Sequence, residues 1–268
     1  MSAMAELLAI MARLRDPEQG CPWDRQQTFR SIVPHTLEEA YEVADAMERG
    51  DREAMRDELG DLLFQVVFYA QIASEEGSFD FEAIARGVSD KLIRRHPHVF
   101  AARRETSAAT QRATWEAIKA DERAARASGD EPPSALDDVP LGLPALTRSR
   151  KLQARAARVG FEWPEARQVA DKVREELAEL EEAIEAEPAD SAHVHEEMGD
   201  LLLACVNLAR QLGVDPEQAL RDGNAKFERR FRGLEAILAS AGESAAEVDF
   251  ERLEACYQQA KAAQAKGE

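Results

Sequence analysis

Along much of this chain apolar residues return at i, i+3, i+4 and i+7, the spacing that lines one face of an α-helix. Four long segments carry it, at residues 36–49, 52–74, 168–186 and 193–212, and each predicts a helix. Val, Ile and Thr nowhere alternate with polar residues over the length of a strand. The expected fold class is all-α.

Between the two pairs of helices, residues 101–146 begin as a charged run around Trp115 and end in GDEPPSALDDVPLGLP, whose four prolines break any helix. This stretch reads as a linker between an N-terminal domain at 1–100 and a C-terminal domain at 147–268. Its two sides repeat the same parts in the same order. The first copy runs LEEAYEVADAMERG, DELGDLLFQVVFYAQ and SDKLIRRH; the second runs REELAELEEAIEAE, EEMGDLLLACVNLAR and NAKFERRF. Trp23 precedes the first and Trp163 the second.

Each copy places an EExxE element before an ExxD element. These are Glu38, Glu39 and Glu42 with Glu58 and Asp61, then Glu175, Glu176 and Glu179 with Glu197 and Asp200. Residues three apart share a helix face, so Glu39 with Glu42, Glu58 with Asp61, Glu176 with Glu179 and Glu197 with Asp200 form four acidic pairs. The stretches MERGDREA and AEPADSA contain Gly or Pro and can turn the chain back, which brings the acidic faces together in antiparallel hairpins. Leu59, Leu62, Leu63 and Val66 around Asp61, and Met198, Leu201, Leu202 and Val206 around Asp200, predict acids that point inward near the core edge. Gly60 and Gly199 suggest close helix approach, because a glycine inside a helix costs about 1 kcal/mol. Two carboxylates 4 Å apart repel by about 4 kcal/mol at an effective dielectric of about 20, so a positive charge is required among them. An all-oxygen donor set selects a hard cation, Mg²⁺ or Mn²⁺. In NAKFERRF, Lys226 and Arg230 share a face, with Asn224 just before; the first copy has Lys91 and Arg95 but Ser89 in place of the asparagine. Such cations suit a metal-bound polyphosphate.

With 52 acidic against 34 basic residues the net charge is −18, which argues against passive binding to a nucleic-acid backbone. Three cysteines without CxxC spacing fit neither a disulfide framework nor a zinc site and point to reducing cytosol, with Cys205 read as a small buried side chain. No apolar stretch has the length of a membrane span or the form of a signal peptide. No GxxxxGK[ST] loop is present. His96 with His98 and His193 with His195 lack the i, i+4 spacing of HExxH and read as cap or surface residues, while Trp23 and Trp163 read first as core anchors.

Taken together, RLRDPEQGCPWDRQQTF, LEEAYEV, ELGDLLFQVVFYAQ and KLIRRHPHVF in the first half, with KLQARAARVGFEW, EELAE, EEMGDLLLACVNLAR and NAKFERRF in the second, resemble the MazG family of nucleoside triphosphate pyrophosphohydrolases over nearly the whole chain. The resemblance implies a tandem all-α fold, a homodimer, and hydrolysis of NTP or dNTP to the monophosphate and diphosphate. The base range implied is broad, with clearance of abnormal nucleotides or a stress response as the physiological role. Mg²⁺ would be held by Glu176, Glu179, Glu197 and Asp200, with Glu39, Glu42, Glu58 and Asp61 as the matching set. For phosphates the resemblance points to Lys226 and Arg230, with Lys172 and Asn224 behind them, and for base or sugar to Trp163 and Tyr257. The missing asparagine in the first copy makes the second the expected catalyst. A di-iron carboxylate bundle would need Glu-x-x-His, which ExxD replaces here, and a purely regulatory module would not need the full set of acids and cations.

Overall fold

The computed structural model describes residues 2–100, 115, 118, 122, 134–186 and 190–265. Every regular element among them is helical. The chain divides into two compact units, Met1–Glu122 and Arg123–Glu268. Most of the expected linker at 101–146 lies outside the described residues.

The first unit contains α1 (Ala3–Leu14), α2 (Pro22–Gln26), α3 (Phe29–Arg49), α4 (Arg52–Glu75), α5 (Phe81–Arg95) and α6 (Pro97–Phe100). Helices α3 and α4 form the expected antiparallel hairpin, with α1 and α5 laid against α4. Gly50 closes α3 in the left-handed region at φ 69°, a conformation that suits glycine, and the Asp51 carboxylate accepts from the Glu53 and Ala54 amides to open α4. The periodicity predicts α3 only from residue 36, beyond Pro34. The helix in fact starts seven residues earlier, at Phe29, where Thr28 and Ser31 cap it reciprocally. Pro34 falls in its second turn and removes one backbone bond without breaking the helix. The core joins Met11, Ile32, Val67, Phe68 and Ile72.

The second unit contains α7 (Ala145–Arg158), α8 (Ala166–Glu185), α9 (Ser191–Gln211), α10 (Pro216–Ser240) and α11 (Phe250–Gln264). Helices α8 and α9 form its hairpin, α7 packs on α9 and α10, and α11 packs on α10. Asp190 caps α9 as Asp51 caps α4, accepting from the Ala192 and His193 amides; residues 187–189 of the turn lie outside the described set. Leu234, Leu238 and Cys256 make a small core between α10 and α11. There a Cβ added to Gly233 would sit 3.0 Å from the Ala260 Cβ, so glycine allows the helices to close.

Three expectations need correcting. A Cβ on Gly60 or Gly199 would meet nothing within 4 Å, so neither glycine serves a close approach within its unit. Cys205 is exposed, and Cys256 is the buried cysteine. The cause is helical phase: Ala204 and Val206 face inward on α9, and Cys205 lies about 100° around from each. The apolar residues beside the acids are also less buried than expected, with Leu59, Val66, Met198 and Leu202 all exposed. A two-helix hairpin has two sides, and its own unit covers only one.

Candidate active site

In the second unit, α8 brings Glu176 and Glu179 onto the face that meets α9, and α9 presents Glu197 in its second turn. Carboxylate oxygens of Glu176, Glu179 and Glu197 all lie within 4.8 Å of one another. Glu176 is only 7% exposed, a rare burial for a carboxylate and one that requires a partner. Lys172 supplies it from one turn earlier on α8, its Nζ 2.8 Å from Glu176 Oε1 and 2.7 Å from Glu175 Oε1. The hydrogen bond to Glu175, followed by that to Glu176, raises the lysine pKa and holds it charged. Burial pushes the Glu179 carboxyl up; Lys172 opposes this, and the Glu176 and Glu197 charges add to it. His193 Nδ1 stands 3.5 Å from Glu197 Oε1.

The first unit repeats the arrangement with Glu39 on α3 and Glu58 and Asp61 on α4, again within 4.8 Å of one another. Burial raises the Glu39 pKa, with Asp61 and then Glu42 adding, and burial followed by Glu42 and Asp61 raises that of Glu58. In place of Lys172 this copy carries His35, whose Nδ1 is 3.7 Å from Glu38 Oε2.

The hairpins therefore gather six of the eight acids expected as metal ligands. Glu42 stands outside the first trio, near enough for its charge to act on it, and the exposed Asp200 stands outside the second. Lys226 and Asn224 are exposed on α10 and Arg230 is half-buried, its Nε enclosed without a hydrogen-bond partner. Neither Lys226 nor Arg230 forms an ion pair with the acids. Trp163 opens onto a cavity of about 300 Å³ lined by Gln153, Ala156, Gly160, Phe161, Glu162, Asn207 and Arg210. Tyr257 is not part of that wall; it packs on the Leu234, Leu238 and Cys256 core with its ring centroid 6.1 Å from that of Phe227. His193, expected only as a cap or surface residue, stands beside the trio at the i, i+4 spacing from Glu197.

The family model described as the MazG nucleotide pyrophosphohydrolase domain matches residues 27–100 and 165–233. The chain belongs to the MazG family. The first match spans the α3–α4 hairpin with α5 and α6, and the second spans the α8–α9 hairpin and most of α10, so both copies of the repeat are MazG domains. The chain is 54% identical over 261 residues to the nucleoside triphosphate pyrophosphohydrolase of Escherichia coli (strain K12), covering 97% of this chain and 98% of the relative. It is 43% identical over 256 residues to the nucleoside triphosphate pyrophosphohydrolase/pyrophosphatase MazG of Thermotoga maritima, covering 96% and 94%. A nucleoside triphosphate pyrophosphohydrolase of Mycobacterium tuberculosis is 38% identical over 160 residues, or 59% of this chain.

Proposed function

We propose that the chain hydrolyses nucleoside triphosphates between the α- and β-phosphates, releasing the monophosphate and diphosphate, and that the second unit does the chemistry. One observation carries this reading: the buried Glu176, gathered with Glu179 and Glu197, has a lysine as its counter-charge. Three carboxylates and one ammonium leave a net negative charge, so the donor set fits a hard divalent cation, Mg²⁺ or Mn²⁺. Glu176, Glu179 and Glu197 would hold it, with Asp200 as a further ligand of the bound state. The ion would supply charge neutralisation and polarisation of phosphate oxygens.

The chain's own residues divide the remaining work. Lys172 lies within reach of the cluster and can pass from Glu175 to a phosphate oxygen. Lys226, Arg230 and Asn224 on α10 would hold the departing diphosphate, a role that fits the unpartnered Arg230 Nε. A carboxylate of the cluster takes the proton of the attacking water. Trp163 and its cavity would receive the base; the mostly apolar wall supports a broad base range and with it the clearance of unwanted triphosphates, while Tyr257 would contribute from the neighbouring core. Glu39, Glu42, Glu58 and Asp61 form the matching cation set of the first unit.

The exposed apolar residues on the hairpins, with the open space beside Gly60 and Gly199, support a homodimer that covers them. Residues 1–100 and 147–268 would be the two domains, a reading that the division into two compact units supports. No described helix is long and apolar enough to cross a membrane, and together with the acidic charge this fits a cytosolic protein that does not bind nucleic acid.

A screen of nucleotides for diphosphate release, with and without Mg²⁺, tests the reading on wild type and on Glu176→Gln and Asp61→Asn. Release should need the metal and should vanish in Glu176→Gln while surviving in Asp61→Asn. Release that persists in Glu176→Gln would overturn the assignment.

A further inference from the structure

Each repeat carries a basic element after its hairpin, SDKLIRRH in the first and NAKFERRF in the second, so Lys91, Arg94 and Arg95 stand where Lys226, Arg229 and Arg230 stand. In the second unit the Arg230 Nε is enclosed without a hydrogen-bond partner. In the first unit the same arginine is already engaged. Arg95 donates through Nε and Nη2 to Glu122 Oε2 at 3.2 and 2.5 Å, and Arg94 donates through the same atoms to Glu122 Oε1 at 2.9 and 2.6 Å.

Glu122 reaches this pair from the linker, 28 residues beyond Arg94 and 27 beyond Arg95. Adjacent guanidinium groups in the last turn of α5 repel each other, and an anion that takes two N–H groups from each relieves the repulsion. One oxygen on each arginine reproduces the way two oxygens of a phosphate are held by such a pair. The pairing is firm: the Glu122 side chain is 13% exposed, and the hydrogen bonds from Arg95 and then Arg94 hold its pKa at about 2, so it is ionised at neutral pH. Trp115, from the same linker, sets its ring 6.1 Å from that of His96, the residue after Arg95, and adds a second contact beside the first.

A single carboxylate does not exhaust the positive charge. It answers one of two guanidinium charges, and the half-buried Lys91 stands outside the pairing. A triphosphate brings more negative charge and more acceptor oxygens than Glu122 and can displace it. Displacement has a cost, since a ligand carried on the same chain competes at an effective concentration on the order of millimolar.

We propose that Glu122 is a built-in competitor of phosphate, a plug that the linker sets on the arginine pair of the first unit and that keeps triphosphate out of this unit until it is displaced. This regulation lies beyond the hydrolytic reading but rests on its assignment of the basic element to phosphate.

Calorimetric titration of the full chain with Mg²⁺ and α,β-methylene-ATP, which the proposed chemistry cannot cleave, tests this by stoichiometry. Below millimolar concentration Glu122→Gln should bind one more equivalent per chain than the wild type, and Glu122→Gln combined with Arg95→Gln should lose that gain. A carboxylate that merely fastens the linker predicts a lower melting temperature with unchanged stoichiometry, and that result overturns the proposal. The wild type decides the matter even where Glu122→Gln fails to fold. Millimolar analogue should expel Glu122 and quicken tryptic cleavage after Lys119 at least threefold, and Asp61→Asn, which takes an acid from the first unit, should abolish the quickening. Cleavage that the analogue leaves unmoved, or quickens equally in Asp61→Asn, overturns the proposal. An error in assigning the basic element to phosphate shows separately, as analogue affinity of the wild type that Arg230→Gln leaves unchanged.

Discussion

Replacing Lys172 by Met separates the two charges that Glu176 serves. In the free protein the ammonium sits 2.8 Å from Glu176 and 2.7 Å from Glu175 and is the internal counter-charge of the trio. A charge-assisted hydrogen bond contributes about 1.5–3 kcal/mol, but this lysine is a third exposed and screened by water, which brings its loss nearer to about 1 kcal/mol. A divalent ion entering the trio meets that ammonium as a like charge. At a separation of about 4 Å in water-like screening, unit charges repel by about 1 kcal/mol, hence about 2 kcal/mol for a dication. The lysine can swing aside, so part of this is relieved, and the expected residue is about tenfold in affinity at 1.4 kcal/mol per decade. Lys172→Met should therefore lower the thermal stability of the metal-free chain and tighten Mn²⁺ binding about tenfold in calorimetric titration without nucleotide. It should also lower kcat/KM for nucleoside triphosphate at least tenfold, because the phosphate loses its cation. Mn²⁺ affinity that is unchanged or weaker would refute the reasoning, since distortion of the site loosens metal and substrate together.

Other consequences are open to measurement. Burial and neighbouring acids raise Glu39, Glu58 and Glu179 above the ordinary 4.5; between that value and the raised ones the folded chain binds more protons than the unfolded one, so metal-free stability should fall as pH rises through the window. Melting curves in chelator should show this slope and Mg²⁺ should flatten it; a slope of opposite sign would contradict the crowding. Arg15 is 7% exposed, pairs with Glu75 at 2.7 Å, donates to the Asp24 and Gln27 carbonyls and lies 5.5 Å over the Phe68 ring. Arg15→Met should cost about 3 kcal/mol in urea unfolding, because it leaves a carboxylate and two carbonyls without their donor; a loss below about 1 kcal/mol would count against it.

The hairpins were legible because apolar periodicity and turns marked by Gly or Pro act locally, and the duplication made the acids stand out against an acidic background. What escaped depends on rotation about each helix axis. Glu42 and Asp200 stand outside the trios although Glu179 and Asp61, at the same positions of the other copy, stand inside; a three-residue spacing puts two acids near one helix face without fixing which of them reaches the facing helix. The same angular precision separates exposed Cys205 from buried Val206. Leu59 and Met198 lie exposed because sequence pattern marks a residue as apolar without saying whether its own unit or another surface covers it.

The central claim is that Glu176, Glu179 and Glu197 together hold the divalent ion on which hydrolysis depends. Mn²⁺ titration followed by electron paramagnetic resonance, read beside diphosphate release on the same samples, tests it most directly. With the Glu176→Gln, Glu179→Gln and Glu197→Gln substitutions combined, the account predicts that one bound ion per chain and all release disappear together, while ion binding at the first unit persists. Release at the wild-type rate from a chain that has lost that ion would contradict it.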